Sequence, residues 1–351
     1  MRNSALSQPS NGGSAAIAVF KFLCVSLLIS SSLVRATKRP LSDSNILLPS
    51  DSGIENGLKL RTCTKVSPLL FYRPVIGILS HPGDGASGRL SNSTTASYIP
   101  ASYVKFVESA GARVIPLIYN DPPEVLEEKV NSVNGVIFTG GRARTGEYYS
   151  VAEKIFQKVL RRNDAGDHVP LYGISLGFQI ISTMVSKNDS IIEQFNATRS
   201  PSTLQFNDNA NIQGTVIQRI PLYLRKRLTQ DCIAWQDHRY GISPQTFGEN
   251  EGLSSFFQVL TTTTDKNQRV YVSTANARNY PVTIFQWNPE KNAFEWGIST
   301  IPHTSYAIEL TQSIANHLVS EARKSTNEPP AQKLLEKLIY NYSPLYGGKA
   351  G

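Results

Sequence analysis

Cysteine and long apolar runs are scarce in this chain. Among its 351 residues there are 3 cysteines and 2 methionines, and Cys24 falls inside the one long apolar run. Cys63 and Cys232 are too few for a disulfide-rich scaffold, but they suffice for one bridge in an oxidising compartment. The sequence does not show whether the two residues lie close together in the fold, so a Cys63–Cys232 disulfide is a candidate that only a structure can test.

Blocks of like charge are also absent, although the 35 Lys and Arg residues outnumber the 27 Asp and Glu and give a net charge of +8. The longest basic cluster, residues 225–227 (Arg-Lys-Arg), has no interleaved aromatic side chains. Scattered charge of this kind is typical of a solvated surface rather than of a nucleic-acid site. We therefore expect no nucleic-acid partner.

The apolar run near the N-terminus covers residues 22–34, follows Lys21 and ends just before Ala36. This arrangement predicts a secretory signal peptide over residues 1–36. The run is short for a membrane span, so a signal anchor is the less favoured alternative, and we expect no stable membrane insertion after cleavage. Residues 37–72 are polar and lack periodicity, which predicts an N-terminal arm.

Four sequons for N-glycosylation agree with passage through the secretory pathway. They begin at Asn92, Asn188, Asn196 and Asn341. Pro344 makes the last one a poor acceptor, so the first three are the predicted glycosylation sites.

Short apolar strands alternate with helices from residue 73 onward. Strands are predicted at residues 75–79, 114–119, 135–139 and 169–174, and helices at residues 97–110, 123–132, 151–163 and 176–186. This alternation predicts an α/β fold with a doubly wound, mostly parallel sheet covered by helices on both faces, a flavodoxin-like three-layer sandwich. Ligands of such sheets bind at the carboxyl ends of the strands.

The second half of the chain is richer in β signals. Strands are predicted at residues 214–219, 256–264, 269–274 and 282–287, and a helix at residues 304–325. Residues 73–325 are therefore predicted to form one α/β domain. Residues 326–351 are predicted to form a short helix, at residues 334–340, and a tail.

Residues 173–177 (Gly-Ile-Ser-Leu-Gly) stand where a predicted strand passes sharply into a helix. This is the pattern of a nucleophile elbow, which lifts one reactive side chain clear of the sheet. The nucleophile would be Ser175, whose hydroxyl is inert at neutral pH unless a base takes its proton. Gly140 and Gly141 end another strand and, with the amide of Leu176, are candidates for an oxyanion hole. A plain Gly-Gly turn is the alternative.

Seven segments of the chain resemble γ-glutamyl hydrolases, and the plant members most closely. They are residues 72–79 (Tyr-Arg-Pro-Val-Ile-Gly-Ile-Leu), 82–85 (Pro-Gly-Asp-Gly), 101–105 (Ala-Ser-Tyr-Val-Lys), 138–141 (Phe-Thr-Gly-Gly), 163–167 (Asn-Asp-Ala-Gly-Asp), 202–206 (Ser-Thr-Leu-Gln-Phe) and 289–296 (Pro-Glu-Lys-Asn-Ala-Phe-Glu-Trp). The resemblance implies a class I glutamine amidotransferase-like fold. It also implies hydrolysis of the γ-linked polyglutamate tails of folates by a cysteine nucleophile, a histidine base and an orienting glutamate, with no cofactor or metal.

The positions that match the family's catalytic residues are substituted here. The family's Cys-Leu-Gly-Phe-Glu appears as residues 175–179 (Ser-Leu-Gly-Phe-Gln), and its Trp-His-Pro-Glu as residues 287–290 (Trp-Asn-Pro-Glu). Ser175 thus stands at the nucleophile position and Asn288 at the base position. The orienting acid Glu290 and a second active-site histidine, His238, are retained. Asparagine cannot accept a proton at physiological pH, so we expect an inactive or severely weakened hydrolase.

An active hydrolase is the alternative, with Ser175 as the nucleophile and His238, next to Asp237, as its base. Consecutive side chains diverge on a strand, however, so Asp237 is poorly placed to orient His238. A retained pocket-lining residue is the favoured interpretation of His238. His81 and His303 are expected to have no catalytic role.

Further departures from the family pattern flank the predicted site. The family's Gly-Gly-Trp-Ala-Lys reads Gly-Gly-Arg-Ala-Arg at residues 140–144, and Gln179 replaces a glutamate. Arg142 and Arg144 either attract substrate carboxylates or reflect drift on an exposed loop, and we favour drift. Gln179 is expected to keep the hydrogen bonding of the acid and to lose its charge.

The resemblance also implies where the protein acts and with what. We expect a secretory protein of the vacuole, the extracellular space or the cell wall. Its expected ligands are folate polyglutamates or other γ-glutamyl peptides. Because family members tend to dimerise, we expect a homodimer, or a heterodimer with an active paralogue.

Overall fold

The computed structural model describes residues 66–83 and 96–345. The predicted signal peptide, most of the N-terminal arm, Cys63 and Asn92 lie outside the described residues. Within these two ranges there is no helix whose length and apolar character would let it span a bilayer.

The strands of the described residues are β1 (Val75–Leu79), β2 (His81–Pro82), β3 (Ser97–Tyr98), β4 (Arg113–Leu117), β5 (Gly135–Phe138), β6 (Leu171–Ile174), β7 (Glu193–Ser202), β8 (Gln205–Phe206), β9 (Ala234–Gly241), β10 (Phe257–Thr264), β11 (Val270–Ala277) and β12 (Val282–Phe285). The helices are α1 (Ala101–Ser109), α2 (Pro123–Asn131), α3 (Glu147–Asp164), α4 (Leu176–Ser186), α5 (Val216–Arg219), α6 (Leu222–Gln230), α7 (Pro244–Glu249), α8 (Glu251–Phe256), α9 (Lys291–Phe294), α10 (Ser305–Ala322) and α11 (Ala331–Leu335). Single 3-10 turns cover Asp189–Ile191 and Ile339–Asn341.

The main sheet is mostly parallel. Its strand order is β4-β1-β5-β6-β12-β11-β10-β8. The first five strands are parallel to their neighbours, and β11, β10 and β8 continue the sheet antiparallel. Numbered along the chain, the five parallel strands follow the order 2-1-3-4-5, which is the flavodoxin-like order. The predicted doubly wound, mostly parallel α/β fold is therefore confirmed.

Helices cover both faces of this sheet because its central strands are apolar along their whole length. Every residue of β1 and β5 is buried. On one face the core includes Phe156 of α3 and Ile180 of α4, and on the other Phe106 of α1 and Leu318 of α10. With both faces covered, the carboxyl edge of the parallel strands is the natural place for a ligand site.

The structure corrects three predicted elements. Residues 214–219, predicted as a strand, contain helix α5, because Val216 and Ile217 pack into the core beside α10, and periodicity cannot tell so short an apolar run from a helical turn. The first predicted helix starts at Ala101 rather than residue 97, since Pro100 is its N-cap. The predicted C-terminal helix at residues 334–340 is replaced by α11 and a 3-10 turn.

A separate two-stranded antiparallel sheet of β7 and β9 was not predicted. Its ladder is interrupted by register shifts between Gln194 and Ala197 and between Ala197 and Ser200, so no clean alternation of apolar and polar residues appears in the sequence. This sheet bears on the predicted site because β9 carries His238, which lies opposite Ala197.

Asp167 ties the end of α3 to the segment after α10. Its carboxylate accepts hydrogen bonds from Arg162 at 2.6 Å, from the Ser325 hydroxyl at 2.7 Å and from the Thr326 amide at 3.0 Å. Burial alone would raise the pKa of Asp167, but the hydrogen bonds from Ser325 and Arg162 hold this pKa below its ordinary value. Asp167 therefore has a structural role within residues 163–167, one of the segments that resemble the family.

We predict that Asp167→Ala lowers the free energy of unfolding by about 2–4 kcal/mol, because it leaves partly buried donors without an acceptor. Urea denaturation at neutral pH would measure the loss. Asp231→Ala is the matched control: Asp231 pairs with Arg227 at 3.5 Å on the surface, so its removal should cost less than about 1 kcal/mol. Equal effects of the two changes would contradict the assigned role of Asp167.

Candidate active site

Ser175 occupies the sharp turn between β6 and α4. Its φ of 55° lies in the left-handed region that side chains rarely adopt, as a nucleophile elbow requires. Two glycines make the turn sterically possible. A Cβ at Gly177 would lie 2.5 Å from the carbonyl oxygen of Phe138, and one at Gly173 would lie 2.8 Å from that of Gly177. The Ser175 amide donates to the carbonyl oxygen of Phe285 at 2.7 Å and so ties the elbow to β12.

Gly140 lies close to both Ser175 and Asn288. A Cβ at this glycine would lie 3.5 Å from the Cβ of Ser175 and 3.7 Å from Nδ2 of Asn288. The reason is topological: β5, β6 and β12 are adjacent parallel strands, so the residues that follow their carboxyl ends share one edge. The structure therefore brings together the nucleophile position, the base position and the Gly-Gly turn.

His81 fixes the loop after β5 through hydrogen bonds to two of its backbone amides. Nε2 of His81 accepts hydrogen bonds from the amides of Arg142 at 2.9 Å and Ala143 at 3.1 Å. The same ring explains Gly141, where φ is +155° and an added Cβ would lie 2.0 Å from Cδ2 of His81. Burial lowers the pKa of His81 to about 4, which keeps the ring neutral and its Nε2 lone pair available. His81 thus shapes the loop and does not contact Ser175.

The candidate oxyanion donors are not equivalent. The Gly140 amide donates to the Tyr103 hydroxyl at 2.8 Å, so it is already engaged, which corrects the predicted set. The amides of Gly141 and Leu176 have no acceptor among the residues that the structure describes. Leu176 opens α4, where the first amides of a helix lack intrahelical partners. These two amides are the ones free to stabilise a developing negative charge.

Asn288 at the base position is bound to Glu290. Its Nδ2 donates to Oε1 of Glu290 at 3.1 Å, and both side chains are buried. The second carboxyl oxygen, Oε2, has no hydrogen-bond partner within the described ranges. Burial raises the pKa of Glu290, against the lowering effect of the Lys291 charge. Glu290 therefore holds an amide, which cannot take a proton from a nucleophile.

Tyr103 connects the acid to the Gly-Gly turn. Burial and the charge of Glu290 both raise the pKa of Tyr103 well above its ordinary value, so its hydroxyl stays protonated. The same hydroxyl accepts the Gly140 amide. Sequence reasoning missed this residue, and the only available signal was its position within the family-like residues 101–105.

No described side chain forms a hydrogen bond with the Ser175 hydroxyl. His238 is retained on β9, but it forms no hydrogen bond with Ser175: Nδ1 donates to the Tyr240 carbonyl oxygen at 3.0 Å, and Nε2 lies 3.2 Å from Oε1 of Gln236. Burial lowers the pKa of His238 to about 3, far below that of an efficient general base at neutral pH. Asp237 accepts the amide of Arg199 at 3.1 Å and does not orient His238.

Tyr240 contacts two of the substituted positions. Nε2 of Gln179 donates to the Tyr240 carbonyl oxygen at 3.1 Å, a bond that an ionised glutamate could not donate. The guanidinium carbon of Arg144 lies 3.6 Å from the centre of the Tyr240 ring. Gln179 therefore does more than keep the hydrogen bonding of the acid it replaces. Arg142 differs from Arg144, because its side chain is exposed and only its backbone amide is bound.

The other predicted residues are not part of this cluster. Asn188 and Asn196 are exposed, as glycosylation sites must be. Cys232 is exposed and forms no disulfide with any residue that the structure describes, and its predicted partner Cys63 lies outside those residues, so that disulfide stays a prediction. Nδ1 of His303 donates to the carbonyl oxygen of Asn292 at 2.6 Å, and the His303 ring stacks on Trp296. The described residues contain no group of three or more His, Cys, Asp or Glu side chains that could hold a metal ion.

A cavity of about 610 Å³ opens at the opposite edge of the sheet, near the start of β6 and β12. Its ionisable groups pair with one another: the Tyr172 hydroxyl lies 2.6 Å from Nδ1 of His317, and Nε2 of His168 lies 2.8 Å from Glu321. No serine or cysteine is among the residues that line it. This cavity therefore lacks the side chains that a nucleophilic site of the predicted kind requires.

Comparisons with known proteins identify the family of the chain. The sequence profile of the family Peptidase C26 matches residues 74–213. Gamma-glutamyl hydrolase 1 of Arabidopsis thaliana is 58% identical over 310 residues, which cover 88% of this chain and 89% of that protein. Gamma-glutamyl hydrolase of Glycine max is 53% identical over 310 residues, with 88% and 90% covered. That of Mus musculus is 36% identical over 280 residues, with 79% and 86% covered. The chain belongs to the γ-glutamyl hydrolase family and is a plant-type member of it.

Proposed function

We propose that this protein binds γ-linked glutamate chains, such as the polyglutamate tails of folates, and hydrolyses them very slowly or not at all. The observation that carries the proposal is the hydrogen bond from Asn288 to Glu290, because it fills the base position with a group that cannot accept a proton. The family relationship supports the ligand class. The elbow and the free amides of Gly141 and Leu176 support continued binding at this edge.

The size of the catalytic loss follows from how such residues cooperate. Removing one member of a nucleophile-base unit costs on the order of 10⁴ to 10⁶ in turnover, and removing the second costs little more. Oxyanion stabilisation and binding alone leave a residual acceleration of about 10³ over water. The natural chain is therefore expected to be a binding or regulatory protein rather than an efficient enzyme.

We predict that the double variant Ser175→Cys, Asn288→His cleaves a pteroyl-polyglutamate at least about 10³ times faster than the natural chain. The thiol is a better nucleophile than the hydroxyl, and an imidazole next to Glu290 can take its proton. Chromatographic separation of the cleaved tails would measure both rates. Ser175→Cys, Asn288→Gln is the matched control, which restores the thiol without a base and should stay slow. A natural chain within about tenfold of the restored one would contradict the proposal.

We predict that a fluorophosphonate probe does not label Ser175, since no base contacts its hydroxyl. Mass spectrometry of the peptide that carries residue 175 would detect the adduct. Labelling that disappears in Ser175→Ala would instead support the active serine hydrolase that uses His238.

The pH dependence of stability tests the state of His238. The imidazole is neutral in the folded protein, with a pKa of about 3, whereas an unfolded histidine has a pKa of about 6.5. The unfolded chain therefore binds the extra proton. The stability that His238 contributes is complete above about pH 6.5 and is lost as the pH falls toward about 3.

Between about pH 7.5 and about pH 4.5 this loss amounts to about 2–3 kcal/mol. We predict that His238→Gln removes that share of the acid destabilisation, which urea titrations at the two pH values would measure. An unchanged pH dependence would show that His238 is not held neutral, and it would reopen the question of His238 as a base.

We further propose that residues 1–36 are a cleaved signal peptide, that residues 37–72 are an arm and that the mature protein resides in the vacuole or outside the cell. The exposure of Asn188 and Asn196 supports glycosylation there. A homodimer, or a heterodimer with an active paralogue, would allow an inactive member to regulate hydrolysis.

A further inference from the structure

Ser175 is almost completely buried, although it lies at the edge of the sheet where ligands bind. Only 7% of Ser175 and 3% of Asn288 is exposed, and Glu290 is fully buried. Access to the Ser175 side chain is therefore restricted in this conformation, although Gly141 beside it is exposed. Side chains that hold the surrounding segments in place would limit how readily a ligand reaches Ser175.

Three different elements meet at Tyr240 near Ser175. Tyr240 itself belongs to β9 and is partly exposed. Arg144, from the loop that begins at Gly140, stacks 3.6 Å from the centre of its ring. Gln179, in the first turn of α4 and with its amide bonded to the Ser175 carbonyl at 3.3 Å, donates to the Tyr240 carbonyl oxygen. Tyr240 is thus tethered through both its ring and its backbone.

Both tethers depend on residues that depart from the family pattern. A glutamine amide can donate to a carbonyl oxygen, whereas an ionised glutamate at residue 179 could not. A planar guanidinium stacks on an aromatic face, whereas a lysine ammonium at residue 144 would act as a compact point charge. Two independent departures that converge on one tyrosine argue against drift for Arg144, although drift still accounts for the exposed Arg142.

We propose that Arg144, Tyr240 and Gln179 form a clamp that holds the site around Ser175 closed and that must open before a ligand enters. The inference rests on the proposed function only for the location of the site, and it does not depend on the identity of the ligand. Each tether should shift the ratio of closed to open molecules by about two- to tenfold. The two together should therefore change access by about four- to hundredfold.

The reactivity of a cysteine at residue 175 would test the clamp without any ligand. In Ser175→Cys protein, mass spectrometry of the peptide that carries residue 175 would give its rate of alkylation by iodoacetamide. The rate is taken at the high-pH plateau, where the thiol is fully ionised, so that a changed thiol pKa does not mimic changed access. Arg144→Ala and Gln179→Met each remove one tether, and the second change keeps the side-chain volume. We expect about two- to tenfold faster alkylation for each and about four- to hundredfold for both together.

Two further variants separate the clamp from general loosening of the fold. Arg239→Ala removes an exposed cation next to Tyr240 that takes part in neither tether, and it should leave the rate unchanged. Tyr240→Phe keeps the ring and the carbonyl and should also react slowly, whereas Tyr240→Ala should react fast. Urea midpoints measured in parallel would identify any variant that is simply unfolded.

Equal alkylation rates in the clamped protein and in the double variant would overturn the clamp, as would an Arg239→Ala rate as high as that of Arg144→Ala. Neither result would affect the proposed function, which the cleavage assay tests separately. Conversely, failure of the restored enzyme to cleave folate polyglutamates would leave the alkylation result valid.

Discussion

The hydrogen bond from the Ser175 amide to the Phe285 carbonyl oxygen, at 2.7 Å, couples the two strands on which the site depends. It fixes the end of β6 against the end of β12, and the chain then reaches Asn288 within three residues. The bond uses only backbone atoms, and the positive φ of Ser175 is made possible by the neighbouring glycines. The geometry of the elbow therefore does not depend on the functional group that residue 175 carries.

The acid-base properties of the site, in contrast, do depend on which side chains stand at these positions. Glu290 lies in a fully buried position, where a carboxylate is costly unless a donor or a cation accompanies it. Asn288 supplies one hydrogen bond and no charge, and burial raises the pKa of Glu290. Replacing an imidazole by an amide thus removes the proton acceptor together with the cation that would form during the reaction. The amide at residue 288 is therefore the basis of the proposed loss of catalysis on an intact scaffold.

The parallel half of the fold could be predicted from the sequence because each strand is a short, fully apolar run between helices, as in β1 and β5. The antiparallel pairing of β7 with β9 could not be predicted, since its register shifts break the alternation of side chains. Helix α5 was predicted as a strand because its four residues are too few for their apolar pattern to distinguish the period of a helix from that of a strand. In the site, Ser175, Asn288 and Gly140 were found from their motifs, whereas Tyr103 and Tyr240 act through contacts between segments distant in sequence.

The sequence by itself determined the family, the elbow and the absence of a base at residue 288, because these depend on residue types at fixed spacings within short segments. Only the tertiary structure decided which groups bind one another. In the structure the Gly140 amide binds the Tyr103 hydroxyl, and both ring nitrogens of His238 lie against groups other than Ser175. Arg144 and Gln179 both contact Tyr240. Such pairings follow from how strands and helices pack at the carboxyl edge of the sheet, and no local pattern encodes that packing.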